Sequence, residues 1–239
     1  MEQLMRFYGR RKGKRLKNSR IELMEHLLPR IRVAMPAAGE KLSVSDLFES
    51  PMQQYWLEVG FGGGEHLAGQ ALCHPEVGFI GAEPFVNGVA SLLAHLNGCT
   101  AGVVQETANL LAPERADNVR IFPDDVRLLF PFLPDASFDK IFVLYPDPWP
   151  KARHEERRFL TMPNLKEICR LLKKGGELRV ATDVADYASW ALDQIECSDL
   201  FVSKKEDIYV PPAEWISTRY EKKGIRAGRK PVYFIYEKK

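Results

Sequence analysis

Two groups of residues have types and spacings that could bind a ligand and act on it. The first is the run Glu58-Val59-Gly60-Phe61-Gly62-Gly63-Gly64, which joins an apolar segment to a predicted helix. A dinucleotide fingerprint beginning at Gly60 would need glycine at position 65, where this chain has Glu65. That carboxylate would repel a pyrophosphate at the start of the helix. The run therefore favours a ligand without phosphate, such as S-adenosylmethionine.

Further acidic residues stand where the next two predicted strands end. Glu83 ends the second strand, nineteen residues after Gly64, where a carboxylate can accept both ribose hydroxyls of a nucleoside. Asp124 follows the third strand and could accept from an adenine amino group, although Asp125 beside it leaves a shift of one residue open. With Glu58, these acids predict one nucleoside lying across the strand ends.

The second group is centred on Ile141 to Lys151, which reads IFVLYPDPWPK. An apolar run that stops at a polar turn is typical of a buried parallel strand leaving its sheet, where α/β proteins carry their chemistry. Each proline fixes its own φ and restrains the residue before it, so we expect Asp147 and Trp149 to be held in place. A proline-rich surface turn without function is the alternative interpretation.

Charge is unevenly distributed, although the formal net charge is only +2. Eight basic residues and no acidic one lie between Arg6 and Arg20, and six basic residues lie between Arg219 and Lys230 against Glu221 alone. Because both runs are interleaved with glycine and aromatic residues, they favour a polyanionic partner. Solvated tails are the alternative.

The elements that must position these residues follow from the apolar pattern. Strands are predicted at 55–59, 78–83, 119–122, 141–144, 177–182 and 232–236, and helices at 21–28, 65–73, 85–96, 159–173 and 184–195. This alternation predicts an α/β, Rossmann-like doubly wound, mostly parallel sheet with helices on both faces. Residues 1–54 are expected to be a basic N-terminal arm, flexible over residues 1–20, and a helical approach, and residues 55–239 one domain.

Composition narrows the class of protein further. No apolar run approaches the roughly 20 residues of a membrane-spanning helix, and the N-terminus lacks the apolar segment of a signal peptide, so we expect a cytoplasmic protein without membrane contact. The cysteines are scattered and the histidines are not clustered, so neither disulfides nor a metal site is expected. Small buried apolar positions are the expected role of the cysteines, which are Cys73, Cys99, Cys169 and Cys197.

Five motifs are specific enough in combination to indicate a family. They are LEVGFGGG (57–64), AEPF (82–85), PDPWPK (146–151), TD (182–183) and TRYE (218–221). Together they resemble the bacterial tRNA (guanine-N7-)-methyltransferase family, from about residue 55 to the end of the chain. The glycine turn is generic to methyltransferases, whereas PDPW with a basic run and a distal T-x-Y-E are more particular. The resemblance implies a class I S-adenosylmethionine-dependent methyltransferase that acts on a guanine in the tRNA variable region, at position 46 in tRNA numbering.

The resemblance also implies which residues form the site. Cofactor contacts are expected from Glu58, Gly60, Gly62, Gly64, Glu83, Asp124 and Asp147, with Asp147 also at the reacting centre. Substrate contacts are expected from Lys151, Asp183, Thr218, Arg219, Tyr220 and Glu221. No metal is implied.

Guanine N7 carries a lone pair and no proton, so methyl transfer to it needs no general base. Alignment is then the main catalytic task, and Asp147 is expected to stabilise the positive charge that moves onto the purine. Asp183 or Glu221 could accept from guanine N1–H and N2–H₂. Trp149 and Tyr220 are candidate stacking surfaces, or else simply packed aromatics.

Three other functions fit parts of the sequence. The first is a methyltransferase acting on a small molecule or a protein, with solvated basic ends. The second is a nicotinamide-dependent oxidoreductase, which Glu65 disfavours. The third is an RNA-binding module without catalytic activity. The sequence leaves the oligomeric state open between monomer and homodimer.

Overall fold

The computed structural model of the protein describes residues 7–98, 117–204 and 206–239, which fall into two compact units, Met1–Phe132 and Leu133–Lys239. In the first unit the described elements are α1 (Asn18–His26), α2 (Leu28–Ile31), β1 (Gln54–Val59), α3 (Glu65–Cys73), β2 (Val77–Ala82), α4 (Val86–Leu96) and β3 (Val119–Phe122). Short 3₁₀ turns lie at Ser45–Leu47, Val126–Leu128 and Phe130–Phe132.

The first unit is built on three parallel strands with β2 in the middle. β2 is buried along its whole length, as expected for an inner strand covered on both faces. In the register of the three strands, Val59 pairs with Ala82 and Ala82 with Phe122, so the strands end level. The residues that follow β1, β2 and β3 therefore lie along one edge of this sheet.

The second unit carries the remaining elements. They are β4 (Phe138–Leu144), α5 (Met162–Leu171), β5 (Leu172–Thr182), α6 (Ala185–Ser198), β6 (Phe201–Ser203), α7 (Arg219–Arg226) and β7 (Val232–Lys238), with a 3₁₀ turn at Ala152–Arg157. The strand order is β4-β5-β7-β6. β4 and β5 are parallel, whereas β7 is antiparallel to both β5 and β6.

The strands of the described chain are mostly parallel and alternate with helices, so the predicted α/β, Rossmann-like fold is confirmed. All six predicted strands are present. β6 and α7 were not predicted, nor was the antiparallel direction of β7. The helix predicted at 21–28 is wrong at its end, because α1 stops at His26 and Pro29 lies in the first turn of α2. Proline is tolerated there, since its missing N–H would have no partner.

The N-terminal arm is docked over part of its length rather than flexible. The carbonyl of Arg11 accepts from the Val86 N–H at 3.0 Å, and the Gly13 N–H donates to Asn87 Oδ1 at 2.8 Å. Asn87 Nδ2 in turn donates to the carbonyl of Lys14 at 2.7 Å. The described part of the arm is thus fixed on the first turn of α4, and residues 1–6 lie outside the described residues.

The cysteine prediction is wrong for two positions. Cys73 and Cys197 are exposed, Cys169 is half-buried, and Cys99 lies outside the described residues. Both exposed cysteines lie at the ends of helices, where the apolar pattern no longer decides which side faces the core. None of the described helices is long and apolar enough to cross a membrane.

Candidate functional site

The glycine turn between β1 and α3 uses a backbone conformation that favours glycine. Gly60, Gly62 and Gly64 have φ of 66°, 55° and 80°, in the left-handed region. A Cβ at Gly64 would lie 2.6 Å from Cβ of Leu92, so α4 packs directly on the turn. A Cβ at Gly60 would meet nothing within 4 Å, so the backbone there is open to a ligand.

Glu83 ties the end of β2 to the glycine turn. Its Oε2 accepts from the Gly62 N–H at 2.7 Å and its Oε1 from the Phe85 N–H at 2.8 Å. The residue is 7% exposed. Each of these two bonds uses one of the roughly four acceptor sites of the carboxylate. Glu83 therefore lies at the predicted edge and also shapes the turn.

Glu58 is held from the other side of the turn by His66, which the sequence reasoning missed. Glu58 Oε2 lies 2.7 Å from Nδ1 of His66 in the first turns of α3, and both side chains are buried. A strand–glycine–helix unit brings the strand end close to the start of the helix, so a polar residue early in α3 was the available signal. The pair fixes the geometry of the turn.

Asp124 and Asp125 have different roles in the structure. Asp125 caps the 3₁₀ turn at Val126–Leu128, accepting from the Arg127 N–H and pairing with its guanidinium. Asp124 accepts from Arg11 Nη1 at 2.8 Å and from the Asp125 N–H at 2.7 Å, both through Oδ1. Its side chain is 35% exposed. Of the two acids, Asp124 is the one that remains accessible to a ligand.

The proline turn after β4 adopts a strained backbone. Tyr145 and Trp149 have φ of 51° and 40°, although each precedes a proline, which favours an extended conformation instead. Such residues cost about 1–3 kcal/mol each and persist where the surroundings hold them. The Tyr145 N–H donates to the carbonyl of Ala181 at 2.7 Å, and Arg158 Nε donates to the carbonyl of Pro148 at 3.0 Å. The turn is fixed as predicted, but by tertiary contacts.

Asp147 lies in this turn with its carboxylate accessible. Among the described residues, none forms an ion pair or hydrogen bond with it. The side chain reaches solvent, yet the protein around it desolvates the carboxylate enough to raise its pKa. An accessible carboxylate without a cationic partner is suited to stabilising a positive charge supplied by a ligand.

The basic residues after the turn divide into two sets. Arg158 is 9% exposed, and its guanidinium lies 4.9 Å from the ring centre of Trp190, so it braces the turn from inside. Lys151 and Arg153 are exposed. Partial desolvation lowers the pKa of His154, and the positive charges of Arg157, Arg153 and Lys151 lower it further. This second set forms a positively charged surface.

Trp149 sits among these charges. Its ring lies 5.2 Å from the guanidinium of Arg157 and packs edge-on against His154, with ring centres 5.8 Å apart. A cation over an aromatic face is favourable by about 0.5–1 kcal/mol at an exposed site. Both interpretations of Trp149, as a packed aromatic or a stacking surface, fit this position.

Asp183, at the end of β5, is packed against α7. Its Oδ2 accepts from Arg229 Nε at 2.7 Å, and its side chain is 9% exposed. A Cβ at Gly224 of α7 would lie only 1.9 Å from the same oxygen. Glycine at this position therefore lets the helix approach the carboxylate.

The T-x-Y-E motif forms the start of α7. Thr218 is the N-cap and accepts from the Glu221 N–H through its hydroxyl at 3.1 Å. Thr218 and Glu221 are buried, whereas Arg219 and Tyr220 are exposed on the other side of the helix. The motif is thus divided between an inner and an outer face.

Glu221 is 3% exposed and is surrounded by aromatic donors that the sequence reasoning missed. Trp215 Nε1 lies 3.1 Å and 2.9 Å from its two carboxylate oxygens, and the Tyr233 hydroxyl donates to Oε1. Burial and then the bond to Glu221 raise the pKa of Tyr233. Burial and then the charge of Glu221 raise the pKa of Tyr145. The end of β4 and the start of α7 therefore meet at one buried carboxylate.

Each unit thus gathers its own share of the predicted residues. The first unit brings Glu58, the glycine turn, Glu83 and Asp124 to the edge of its sheet. The second unit carries Asp147 and Lys151 on the turn after β4 and packs Asp183 against the helix that contains Glu221. Across residues 7–98, 117–204 and 206–239, no group of three or more His, Cys, Asp or Glu side chains is arranged to hold a metal ion.

Comparisons with known proteins show which family the chain resembles. A profile of the methyltransferase family Methyltransf_4 matches residues 52–234. The tRNA (guanine-N(7)-)-methyltransferase of Paramagnetospirillum magneticum is 46% identical over 98% of this chain and 93% of its own. The enzyme of the same name from Rhodospirillum rubrum is 44% identical over 98% of this chain and 88% of its own.

Similarity to solved structures extends to more distant methyltransferases. The 16S rRNA methyltransferase KamB has a TM-score of 0.55 at 12% identity, covering 87% of this chain and 98% of its own. An antibiotic-related methyltransferase has a TM-score of 0.52 at 16% identity, covering 94% and 96%. At these identities the similarity concerns the fold, which is that of the class I methyltransferases.

Proposed function

Because this chain belongs to the bacterial tRNA (guanine-N7-)-methyltransferase family, we propose that it transfers a methyl group from S-adenosylmethionine to N7 of a guanine in the tRNA variable region, at position 46 in tRNA numbering. The observation that carries the proposal is the 46% identity to a relative of that name over 98% of this chain. We propose residues 55–239 as the methyltransferase domain and residues 1–54 as the basic arm and helical approach. Acting on tRNA, the protein would work in the cytoplasm, as a monomer or homodimer.

The residues of the first unit fit S-adenosylmethionine. The backbone at Gly60 is open to a ligand, while the carboxylate of Glu65 at the start of α3 disfavours a phosphate. The carboxylate of Glu83 follows β2, where it can accept ribose hydroxyls, and Asp124 is accessible for an adenine amino group. Glu58, Gly60, Gly62, Gly64, Glu83 and Asp124 would hold the cofactor, with Asp147 as a further contact. When bound, the cofactor supplies a methyl group made electrophilic by its sulfonium.

The catalytic role of this chain is alignment and charge stabilisation. Guanine N7 is a nucleophile without a proton to remove, so no side chain has to act as a general base. The strained turn after β4 holds Asp147 in a fixed position, and preorganisation of this kind avoids rearrangement at the moment of reaction. Its carboxylate, which no described cation neutralises, stabilises the positive charge that develops on the purine.

The second unit carries the residues that we assign to recognition of the guanine and to part of the phosphate contacts. Lys151 and Arg219 are exposed and would contact phosphates, which gives affinity and position rather than base choice. Asp183 and Glu221, with Thr218 supporting the start of α7, would accept the N1–H and N2–H₂ donors of guanine. Tyr220, which is 46% exposed, is available to stack on a base.

Methyl transfer from tritiated S-adenosylmethionine tests the proposal. Label should enter a tRNA transcript that carries guanine at position 46 but not the same transcript with adenine there, and chemical cleavage at 7-methylguanosine should map to that nucleotide. Small-molecule and protein acceptors serve as controls for a different methyltransferase. Binding of the guanine transcript without label at saturating cofactor would contradict the proposal.

A further inference from the structure

Trp215 covers the carboxylate that the proposed function assigns to guanine. The indole Nε1 lies within 3.1 Å of both oxygens of Glu221, and the Tyr233 hydroxyl donates to one of them. With these donors in place Glu221 is only 3% exposed. A base therefore cannot reach the carboxylate while Trp215 remains there.

The indole resembles the base that would replace it. Guanine is a flat fused ring system that presents N1–H and N2–H₂ on one edge, and two such donors match the two oxygens of a carboxylate. Trp215 is also a flat fused ring, with a single N–H shared between the two oxygens. It packs edge-on against Tyr233, with ring centres 5.0 Å apart at 76°. The indole thus presents a flat fused ring and an N–H donor to the same carboxylate that guanine would use.

The segment that carries Trp215 is a loop that is held at its two ends. Residues 206–217 contain no helix or strand. The segment is anchored at one end by the Tyr233 N–H, which donates to the carbonyl of Ile208 at 2.7 Å, and at the other by Thr218, the N-cap of α7. Between these anchors, Glu214 has a φ of 60°, a strained conformation for a residue other than glycine.

We propose that Trp215 competes with the target base for the substrate site: it occupies the guanine-binding carboxylate of Glu221 in the free protein and is displaced by the target base. The inference rests on the proposed function. Guanine replaces the one indole donor with two. Adenine brings an amino donor beside an unprotonated ring nitrogen, which the carboxylate repels, so adenine displaces the indole poorly. The cost of displacing the indole is the same for any base that takes its place, so the indole lowers the affinity for the target nucleotide without changing the choice between bases.

Fluorine NMR of the protein labelled with 5-fluorotryptophan tests the displacement directly. The protein has four tryptophans, so Trp→Phe variants assign the four signals. The Trp215 signal should shift when a transcript with guanine at the target position binds, and should stay in place when the adenine transcript binds. A Trp215 signal that stays in place while the guanine transcript is bound and methylated would overturn the inference alone. A bound guanine transcript that is never methylated would overturn the proposed function and the inference with it.

Trp215→Phe tests the same point by kinetics, because phenylalanine keeps an aromatic ring but has no N–H. The KM for tRNA should fall roughly tenfold, because a hydrogen bond from residue 215 to the charged carboxylate of Glu221 no longer competes with the base. The kcat should change less than about twofold. The matched control is Trp56→Phe, which removes an indole donor to Gln54 in the first unit and should change neither value. An unchanged or higher KM for Trp215→Phe would overturn the inference.

Discussion

Gly224→Ala tests whether helix α7 depends on its close approach to Asp183. The new Cβ would lie 1.9 Å from Oδ2 and 2.7 Å from Cγ of Asp183, far inside van der Waals contact. The carboxylate cannot simply turn away, because Oδ2 also accepts from Arg229 Nε at 2.7 Å. Either the helix moves outward or the carboxylate loses Arg229.

The expected change in the free energy of unfolding follows from three terms. Alanine in place of glycine inside a helix stabilises it by about 0.5–1 kcal/mol. Loss of the Arg229 pair costs about 1 kcal/mol, a low value because the arginine is 44% exposed. Overpacking of a close contact costs about 1–3 kcal/mol. The variant should therefore be less stable than the wild type by about 1–3 kcal/mol.

Asp183→Ala provides the background in which the clash is absent. There the nearest remaining atom is Cβ of residue 183, 3.1 Å from the new Cβ, so adding Gly224→Ala should be neutral or stabilising by up to about 1 kcal/mol. Urea unfolding of the wild type, both single variants and the double variant gives the coupling energy, which should be about 2 kcal/mol. Lys222→Ala, at an exposed position of the same helix, controls for helix propensity. Additivity within about 0.5 kcal/mol would refute the packing argument.

Three further predictions concern the turn after β4 and the basic arm. Asp147→Asn should abolish methyl transfer with tRNA binding nearly intact. Because desolvation raises the pKa of Asp147, its ionised form opposes folding. The variant should therefore unfold at a higher urea concentration than the wild type at pH 7, and at the same urea concentration well below the ordinary carboxyl pKa. Lower stability of this variant at pH 7 would contradict the desolvation argument. Arg158→Met should lower kcat roughly tenfold or more through loss of the bond to Pro148. Arg153→Met, at an exposed position, should raise only the KM for tRNA. Equal effects of the two variants on kcat would contradict the view that Arg158 holds the turn and Arg153 contacts RNA. Deletion of residues 1–15 should weaken tRNA binding in a filter assay. The slope of the logarithm of the binding constant against the logarithm of the salt concentration should become smaller by about 0.7–0.9 for each phosphate that the arm no longer neutralises. An unchanged slope would show that the arm has no role in RNA binding.

The sequence predicted the parts of the fold that depend on apolar pattern and on glycine. Every predicted strand exists because its apolar run is long enough to be buried, and the turn at Gly60 to Gly64 forms because its φ values favour glycine. Helix α7 escaped prediction because its buried face consists of Thr218, Glu221 and Gly224, which are not apolar. Because the buried residues of this helix are not apolar, the sequence does not show apolar residues at helical spacing there.

Some residues of the candidate site could be predicted from the local sequence, whereas others are brought to the site only by tertiary contacts. The acids at the strand ends could be found from their position after each strand. Trp215 and Tyr233 could not, because they reach Glu221 from a loop and from the antiparallel strand β7. Tyr145 and Trp149 do not adopt the extended conformation usual before proline, since hydrogen bonds from distant parts of the chain outweigh that local preference.

The position of β7 between β5 and β6 bears on the order in which the second unit can assemble during synthesis. β6 pairs with β7, which the ribosome makes about thirty residues later, and β5 has the same partner on that side. Until Val232–Lys238 has emerged, β5 presents an unpaired edge, the kind of surface on which strands from other molecules add. Truncation before Val232 would leave that edge permanently open and deprive β6 of its hydrogen-bonding partner.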